Sequence, residues 1–492
     1  IGPDRVLVNA TVTSTANLII VSAQRDAIVG ASGSLSAPTG GKSISMTADS
    51  DITSGGTLTL NNNVTITGGA GSITLQGGTI NQAAGTVDAG TGTISIDSND
   101  NGVTLSGTVT SSNVGTALTI KDTSTVTFAG SITLSNSAAT FALGVDGGGN
   151  EVTGTIDQTA GAITVEGTTS IIADGNVSLT QSTNDFGTVS AAGNSGTPSL
   201  NDVSLRDTDA LTLSSIVTND GSVTVTAGGT ITATTVTAGG ASRNITLTAN
   251  GSTSNVLLGN VTAASDTVTV TAGAAIEESG SDTAADITAK VIDLNAVSGI
   301  GALAQIEITI DATAATNVTA DTTNGTVNLK NIAAANTIVG TLTTGTGNIT
   351  FNQDQTLASA VFNAAGSGYT VNDVLTFSGG TATTAATIRV DTLGGGNSVA
   401  TFTITNAGSY SVVPSNPVAT TGGTGTGATF DATWNTLSVT TASTTSGNIT
   451  ITNTGAAFTA TTVTASSGGG AGNVDLTTTT SGTVNVGNIT AA

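Results

Sequence analysis

Oxygen-bearing side chains occupy five successive positions in one short stretch near residue 100. Asp97, Asn99 and Asn101 alternate along this stretch, and Gly102 follows them. Carboxylate and amide oxygens at alternate positions, with a glycine for the turn, suit a calcium ion. A complete loop of this kind has glutamate at its twelfth position, where this chain has Thr108. Asp97, Asn99 and Asn101 are therefore candidate calcium ligands, and a polar turn is the competing interpretation.

A second stretch, Asp146–Glu151, carries acidic and amide oxygens beside three glycines and is a candidate of the same kind. The glycine- and aspartate-rich repeat that binds calcium in some secreted proteins is absent from the sequence. Cysteine and histidine are also absent, which removes thiolate metal sites and the commonest general base. The sequence therefore predicts no cofactor, with calcium as the one alternative.

Two further clusters contain charged side chains that could do chemistry. Arg206, Asp207 and Asp209 place carboxylates beside a basic residue, an arrangement that suits enzymes acting on polysaccharides. The surrounding sequence offers no aromatic residue to stack on a sugar, so a charged turn is the favoured interpretation. Glu277–Glu278 and Asp282–Asp286 form an acidic corner, which is predicted to be a solvated face. The chain is therefore predicted not to be an enzyme.

The larger aromatic side chains lie in one segment. Both tyrosines, Tyr369 and Tyr410, and the single tryptophan, Trp434, fall within residues 360–434. Aromatic side chains are frequent anchors of binding interfaces, which makes these three residues candidate contacts for a glycan or protein ligand. The alternative, which we favour, is that they form the small core of the segment itself.

A five-residue sequence motif, which we call the phrase, recurs along the chain and predicts the β-strands that position these residues. It begins with glycine and ends in an aliphatic residue or phenylalanine, as in GSITL at Gly71 and GNITF at Gly347. In a strand, the third and fifth positions point to one face and the fourth to the other. Ile349 and Phe351 are therefore predicted to be buried, and Thr350 to face outward.

Asparagine often occupies the second position of the phrase, as at Asn348 and Asn448. The resulting Asn-Ile-Thr triplets match acceptors for N-glycosylation. The favoured interpretation is that these asparagines begin strands and stack into ladders from one repeat to the next.

The spacing of the phrase favours a parallel β-helix. Gly71 and Gly92 are 21 residues apart, and Gly325 and Gly347 are 22 apart. This period fits three short strands and three corners per turn, with neighbouring turns about 4.8 Å apart. We predict an all-β chain with almost no helix, a parallel β-helix of roughly 20 turns and about 95 Å. A row of β-sandwich domains is the competing arrangement.

Composition and an internal repeat distinguish residues 360–434 from the rest of the chain. GSGYTVNDVLTFSGG, which begins at Gly366, is echoed by AGSYSVVPSNPVATTGG from Ala407, and the five-residue phrase is missing. We predict a β-solenoid over 1–359, an inserted two-fold β module over 360–434 and a continuation of the solenoid over 435–492. Insertions at solenoid corners often carry binding faces, so the module is the predicted binding region.

The net charge of −23 comes from 32 acidic and 9 basic residues that are scattered along the chain. A negative surface argues against nucleic acid as a partner and disfavours anionic lipid. No apolar run approaches the roughly 18 residues of a membrane helix, so no membrane insertion is expected. Low charge, the absence of cysteine and abundant Thr, Ser, Asn and Gly indicate an extracellular or cell-surface location.

Both ends of the sequence carry strand patterns. Val6–Val12 alternates, and the phrase recurs at Gly487–Thr490. The uncovered end of a solenoid exposes an unpaired strand edge. We therefore expect head-to-tail pairing with other copies of the chain, or continuation of a larger surface protein. A glycan or a cell surface is a further expected partner.

Three stretches resemble large bacterial surface proteins of the filamentous-haemagglutinin type: GNITFNQ (Gly347–Gln353), LRDTDALTL (Leu205–Leu213) and AGAAIEE (Ala272–Glu278). The similarity extends over most of the chain outside the module. It implies a right-handed parallel β-helix and a role in adhesion, biofilm or fibre formation. No secretion-domain motif near Ile1 and no terminal anchor is recognised, so the resemblance does not imply an export route. The module is similar to short Gly-Tyr β repeats of bacterial surface and phage-tail proteins.

Together these features predict a non-enzymatic extracellular structural protein. In this interpretation the chain is a β-solenoid rod that forms or extends a surface fibre or adhesin by end-to-end self-association. An adhesin that binds a glycan or protein through residues 360–434 is the first alternative. A β-helix enzyme acting on carbohydrate is the second.

Overall fold

The computed structural model describes residues 4–39, 41–50, 55–195, 199–455, 457–466, 468, 471–479 and 482–491. The chain forms two compact units, Ile1–Ser254 and Asn255–Ala492. Within the described ranges the fold is all-β, and the one helical element is a 3-10 turn at Gly395–Asn397. No helix in this part of the chain is both long and apolar enough to cross a membrane.

The first unit is a stack of parallel turns, in which strands pair with the equivalent strands one turn before and after. Its strands are β1 (Arg5–Val8), β2 (Thr11–Thr13), β3 (Ile19–Ser22), β4 (Asp26–Val29), β5 (Ser34–Ala37), β6 (Ile44–Thr47), β7 (Thr57–Leu60), β8 (Val64–Ile66), β9 (Ile73–Gln76), β10 (Thr79–Gln82), β11 (Thr86–Asp88), β12 (Ile94–Leu105), β13 (Thr108–Ser111), β14 (Gly115–Phe128), β15 (Ile132–Leu134), β16 (Ala139–Leu143), β17 (Ile156–Gln158), β18 (Ile163–Ile172), β19 (Val177–Leu179), β20 (Asp185–Ala192), β21 (Val203–Asp207), β22 (Leu211–Val217), β23 (Val223–Ala227), β24 (Ile231–Ala238) and β25 (Ile245–Ala249).

The second unit combines parallel solenoid strands with an antiparallel module. The solenoid strands before the module are β26 (Val256–Ala272), β27 (Ala275–Glu278), β28 (Ile287–Ala296), β29 (Gly299–Ile300), β30 (Ile306–Ile310), β31 (Val318–Thr322), β32 (Val327–Ile332), β33 (Thr337–Thr344) and β34 (Ile349–Asp354). The module contains β35 (Leu357–Ser367), β36 (Val374–Phe377), β37 (Thr381–Thr384), β38 (Thr387–Leu393), β39 (Val399–Asn406), β40 (Ser409–Val412), β41 (Val418–Thr421) and β42 (Thr426–Trp434). The solenoid resumes with β43 (Leu437–Thr444), β44 (Ile449–Asn453), β45 (Phe458–Thr464), β46 (Val474–Thr478) and β47 (Val484–Thr490). The parallel strands of the two units make about 21 turns of β-solenoid, which confirms the predicted fold class.

Rows of aliphatic side chains form the solenoid core. Ile44, Ile73 and Ile94 are successive partners on β6, β9 and β12, and all three are buried. Burying one such side chain contributes about 1.5–3 kcal/mol, so the rows spread stability evenly over the turns. The predicted inward face is confirmed at Ile349 and Phe351, both of which are 0% exposed.

The predicted asparagine ladder is present at the strand starts. Asn348 Oδ1 accepts a hydrogen bond from the backbone N–H of Asn448 at 2.9 Å. Asn448 Oδ1 accepts one from the backbone N–H of Asn473, also at 2.9 Å. These side chains supplement the backbone ladder between neighbouring turns.

The antiparallel module is inserted between two consecutive solenoid turns. Asn331 and Gln353, which lie one turn apart, are separated by 22 residues. Asn348 and Asn448 are separated by 100 residues and yet are also neighbours in the stack. The extra residues form a six-stranded sheet of order β35-β42-β41-β36-β38-β39 and a two-stranded sheet of β37 and β40. These strands overlap the segment for which composition predicts a module.

Glycine at the first position of the phrase allows successive turns to approach closely. A Cβ atom on Gly347 would lie 1.8 Å from the carbonyl oxygen of Gly325. A Cβ atom on Gly447 would lie 2.2 Å from the carbonyl oxygen of Gly347. No side chain fits at these distances, so the spacing of the ladder imposes glycine at this corner.

Replacing Gly347 by alanine should destabilise the second unit by about 1–3 kcal/mol, because the added methyl group must displace the neighbouring turn. The matched control is Gly395→Ala, since a Cβ atom at that position meets no atom within 4 Å. Urea denaturation followed by circular dichroism measures both variants. Equal unfolding midpoints for the two would contradict the close approach of the turns.

Candidate functional site

A cleft of about 380 Å³ lies in the second unit, where the antiparallel module faces the outer surface of the solenoid. We call it the module cleft. Its floor is formed by Lys330 and Ile332 of β32 and by Asp354 of β34. Its walls are Thr283, which precedes β28, and three residues of the module: Thr383, Thr384 and Ser409.

The alternation of side chains along β32 and its pairing with β34 bring the floor residues onto one outward face. Along β32, alternate residues are buried in the core, so Lys330 and Ile332 belong to the outward set. Parallel pairing with β34 brings Asp354 directly beside Ile332. The sequence VNLKNI therefore presents a cation and an aliphatic side chain on the same face, and the next turn adds a carboxylate.

Hydrogen bonds hold the module against this face. Gln355 and Tyr410 form an antiparallel backbone bridge, with N–H to carbonyl distances of 3.0 and 2.9 Å. Just inside the module, the N–H of Leu357 donates to the carbonyl oxygen of Ala407 at 2.8 Å. Where the chain leaves the module, the side chain of Asn435 donates from Nδ2 to Thr356 Oγ1 at 2.6 Å. The cleft is therefore bounded by two sheets in a fixed arrangement.

A nearly buried ion pair forms the polar part of the floor. Lys330 Nζ lies 3.2 Å from Asp354 Oδ2, and the side chains are 24% and 10% exposed. Ser409 Oγ donates to the same carboxylate oxygen at 3.5 Å. Glu307 is the strand partner of Lys330 on the preceding turn. Burial, together with Glu278, raises the pKa of Glu307, while Lys330 acts in the opposite direction.

The acidic corner predicted to be a solvated face is partly buried, so that prediction is wrong for Glu277 and Asp286. Each is 4% exposed. Parallel stacking brings the buried Glu307 against Asp286, whose carboxylate accepts a hydrogen bond from the Glu307 N–H at 2.9 Å. Burial, and then repulsion by Glu278, Glu307 and Asp282, raises the pKa of Asp286 to about 7. One oxygen of Glu307, Oε2, is buried without a hydrogen-bond partner among the described residues.

Stability should decline with rising pH because of Asp286. Its pKa in the folded protein, about 7, lies above the ordinary value of 3.8. Between these values the unfolded chain binds fewer protons than the folded chain, so the free energy of unfolding falls as pH rises through the window. Asp286→Asn keeps an oxygen acceptor but cannot ionise, and should reduce the decline. Urea denaturation at several pH values between about 4 and about 8 measures it.

The control for this prediction is Asp475→Asn, which alters an exposed carboxylate of the same unit. It should leave the decline unchanged. A parent protein whose stability is flat over this pH range, or an unaltered decline in Asp286→Asn, would contradict the burial of an ionisable acid at this position.

The three candidate calcium ligands lie in a turn within β12 that satisfies its own polar groups. Asp97 forms an ion pair with Lys121 at 3.5 Å. Asn101 Nδ2 donates to the Asn99 carbonyl oxygen at 3.1 Å, and the Asn99 N–H donates to Asp97 Oδ1 at 3.4 Å. These contacts agree with the competing interpretation of a polar turn. Calcium binding by Asp97, Asn99 and Asn101 stays a prediction.

The three candidate ligand-binding aromatic residues lie in the core of the module. Tyr369, Tyr410 and Trp434 are 2%, 0% and 9% exposed. The Tyr369 hydroxyl accepts a hydrogen bond from the Ala428 N–H at 3.1 Å, and the Tyr410 hydroxyl accepts one from the Ala386 N–H at 2.8 Å. The rings of Tyr410 and Trp434 are 4.9 Å apart. Buried rings offer little surface to a ligand, so burial supports the alternative that these residues form the module core.

In the first unit, the structure separates Arg206 from Asp207 and Asp209, the two carboxylates with which the sequence grouped it. Asp207 is 3% exposed and accepts hydrogen bonds from the N–H groups of Phe186 and Asp209, at 2.7 and 3.0 Å. Its pKa is raised to about 6 by burial. Arg206 is exposed on the opposite side of the strand. Asp185, one turn earlier, joins Asp207 and Asp209 instead, with carboxylate oxygens within 4.8 Å of one another. The spacing of about one turn between Asp185 and Asp207 is the signal that could have revealed this group.

The architecture defines the chain as a repeat protein of the parallel β-solenoid class. Residues 147–192 are similar to a family described as "Repeats of unknown function (DUF5649)". The matched segment contains β17–β20, in which β17 pairs with β19 and β18 pairs with β20 in parallel. The match therefore covers strands that stack in successive turns. No curated protein and no solved structure shows significant similarity to the chain.

Proposed function

We propose that this chain is a non-enzymatic structural protein of the bacterial cell exterior. It forms or extends a surface fibre or adhesin, by self-association with further copies or as part of a larger surface protein. The observation that carries the proposal is the continuity of the parallel ladder within each unit. Such a stack shares its stability among many similar contacts between neighbouring turns, which suits a spacing or load-bearing role.

Composition supports the same role. A chain without histidine and cysteine lacks the side chains most often used as general base and as transition-metal ligand. The net charge of −23 favours solubility and disfavours nucleic acid as a partner. The resemblance of several stretches to filamentous-haemagglutinin-type proteins supports adhesion, biofilm or fibre formation as the biological setting.

Self-association predicts that purified protein forms unbranched filaments whose length increases with protein concentration, because each added copy extends the parallel stack. Negative-stain electron microscopy of a concentration series measures this length. Particles of one constant length at every concentration would contradict self-association.

A cell-surface location predicts that an epitope placed in an exposed turn is accessible on intact cells. A suitable position lies between Gly147 and Gly148, because a Cβ atom added at Gly147 meets no neighbouring atom within 4 Å. Antibody should label intact cells that express the tagged protein, and a tagged cytoplasmic protein serves as the control. Labelling that requires permeabilised cells would contradict the location.

A further inference from the structure

We propose that the module cleft is a binding site for a neutral saccharide of one or two sugar units. The inference goes beyond a structural role and does not depend on whether the chain forms fibres. It rests on the chemistry, charge and rigidity of the residues that line the cleft.

The lining offers donors and acceptors that match sugar hydroxyls. Hydroxyl groups both donate and accept hydrogen bonds, so a polyhydroxylated ligand pairs well with a wall of hydroxyl side chains. Four of the lining residues carry such groups: Thr283, Thr383, Thr384 and Ser409. Apolar atoms form the larger part of the exposed lining, and Ile332 on the floor provides a surface on which the C–H face of a sugar ring can rest.

The charge of the cleft selects against ionised ligands. Lys330 and Asp354 form a pair at 3.2 Å, so the floor presents a donor and an acceptor with little net charge. Glu307, on the strand next to Lys330, makes the surroundings unfavourable for an anion such as phosphate or a uronate. Because Lys330 and Asp354 already neutralise each other, neither an anion nor a cation finds an unpaired opposite charge on the floor. The floor therefore favours a neutral ligand with hydrogen-bonding groups.

Size and rigidity limit the ligand further. A volume of about 380 Å³ lies near the small end of the range for ligand sites, about 300–1,000 Å³, which suits one or two rings rather than a long chain. The floor belongs to paired strands of the solenoid, and the Gln355–Tyr410 bridge holds the module wall in place. Binding therefore requires little ordering of the protein. No aromatic ring lines the cleft, so we expect an affinity on the order of 1 mM for an isolated saccharide.

A ligand-observed NMR screen of free neutral, acidic and amino mono- and disaccharides tests the proposal with the full chain, because it detects binding in the millimolar range. We expect neutral saccharides to bind. Titration of the saccharide that binds best should then give a dissociation constant for the parent protein. The double variant Thr383→Val/Thr384→Val should weaken this binding at least tenfold, because it removes two hydroxyls and preserves side-chain shape and strand preference.

The matched control is Thr381→Val, on the same strand but outside the lining of the cleft. It should bind like the parent protein, and circular dichroism should show equal folding of all three proteins. Lys330→Met changes the solenoid floor of the cleft instead of the module wall. It should also weaken binding, because it removes a hydrogen-bond donor from the lining. A screen in which no saccharide or only acidic saccharides bind would overturn the proposal. Equal binding by the parent protein and the Thr383→Val/Thr384→Val variant would also overturn it.

Discussion

The hydrogen-bonded register between successive parallel turns constrains the other features of this protein. Equivalent positions of neighbouring turns lie one above another, so each position tends to keep the same kind of side chain through the stack. Ile44, Ile73 and Ile94 form one such row, and Gly325 and Gly347 lie at a corner where no side chain fits. A core built from rows of small aliphatic residues explains why the chain contains only 2% aromatic residues.

The same register stacks polar side chains, with two different results. Stacked amides complement one another: Gln158 Nε2 donates to Asn184 Oδ1 at 2.8 Å, and Asn331 Nδ2 donates to Gln353 Oε1 at 3.0 Å. Stacked carboxylates do not, because two ionised acids offer acceptors and no donor. Burial, together with repulsion by neighbouring acids such as Glu278 and Asp282, then raises the pKa of both Asp286 and Glu307. A buried amide row stabilises the fold, whereas a buried acid row makes its stability dependent on pH.

The antiparallel module gives one solenoid face a cleft. Solenoid strands present regular rows of outward side chains, as β32 does with Lys330 and Ile332. The module brings its own core of buried side chains and packs over these rows. The bridge between Gln355 and Tyr410 links the end of the solenoid strand to the module strand that carries Ser409. Residues from two kinds of sheet thus line one cleft.

Glycine spacing and residue alternation are local signals that repeat in every turn, so they were enough to predict the all-β parallel solenoid and its inward faces. It also indicated the module core, since Tyr369, Tyr410 and Trp434 cluster in one segment. The burial of charged side chains depends on long-range stacking and docking. Asp286 and Glu307 are 21 residues apart, about one turn, so their spacing is compatible with stacking. Spacing alone does not show that they are buried, because turns differ in length and the facing side chains come from distant parts of the chain. The position of Ser409 beside Asp354 depends on how the module docks, which is a long-range contact between separate sheets.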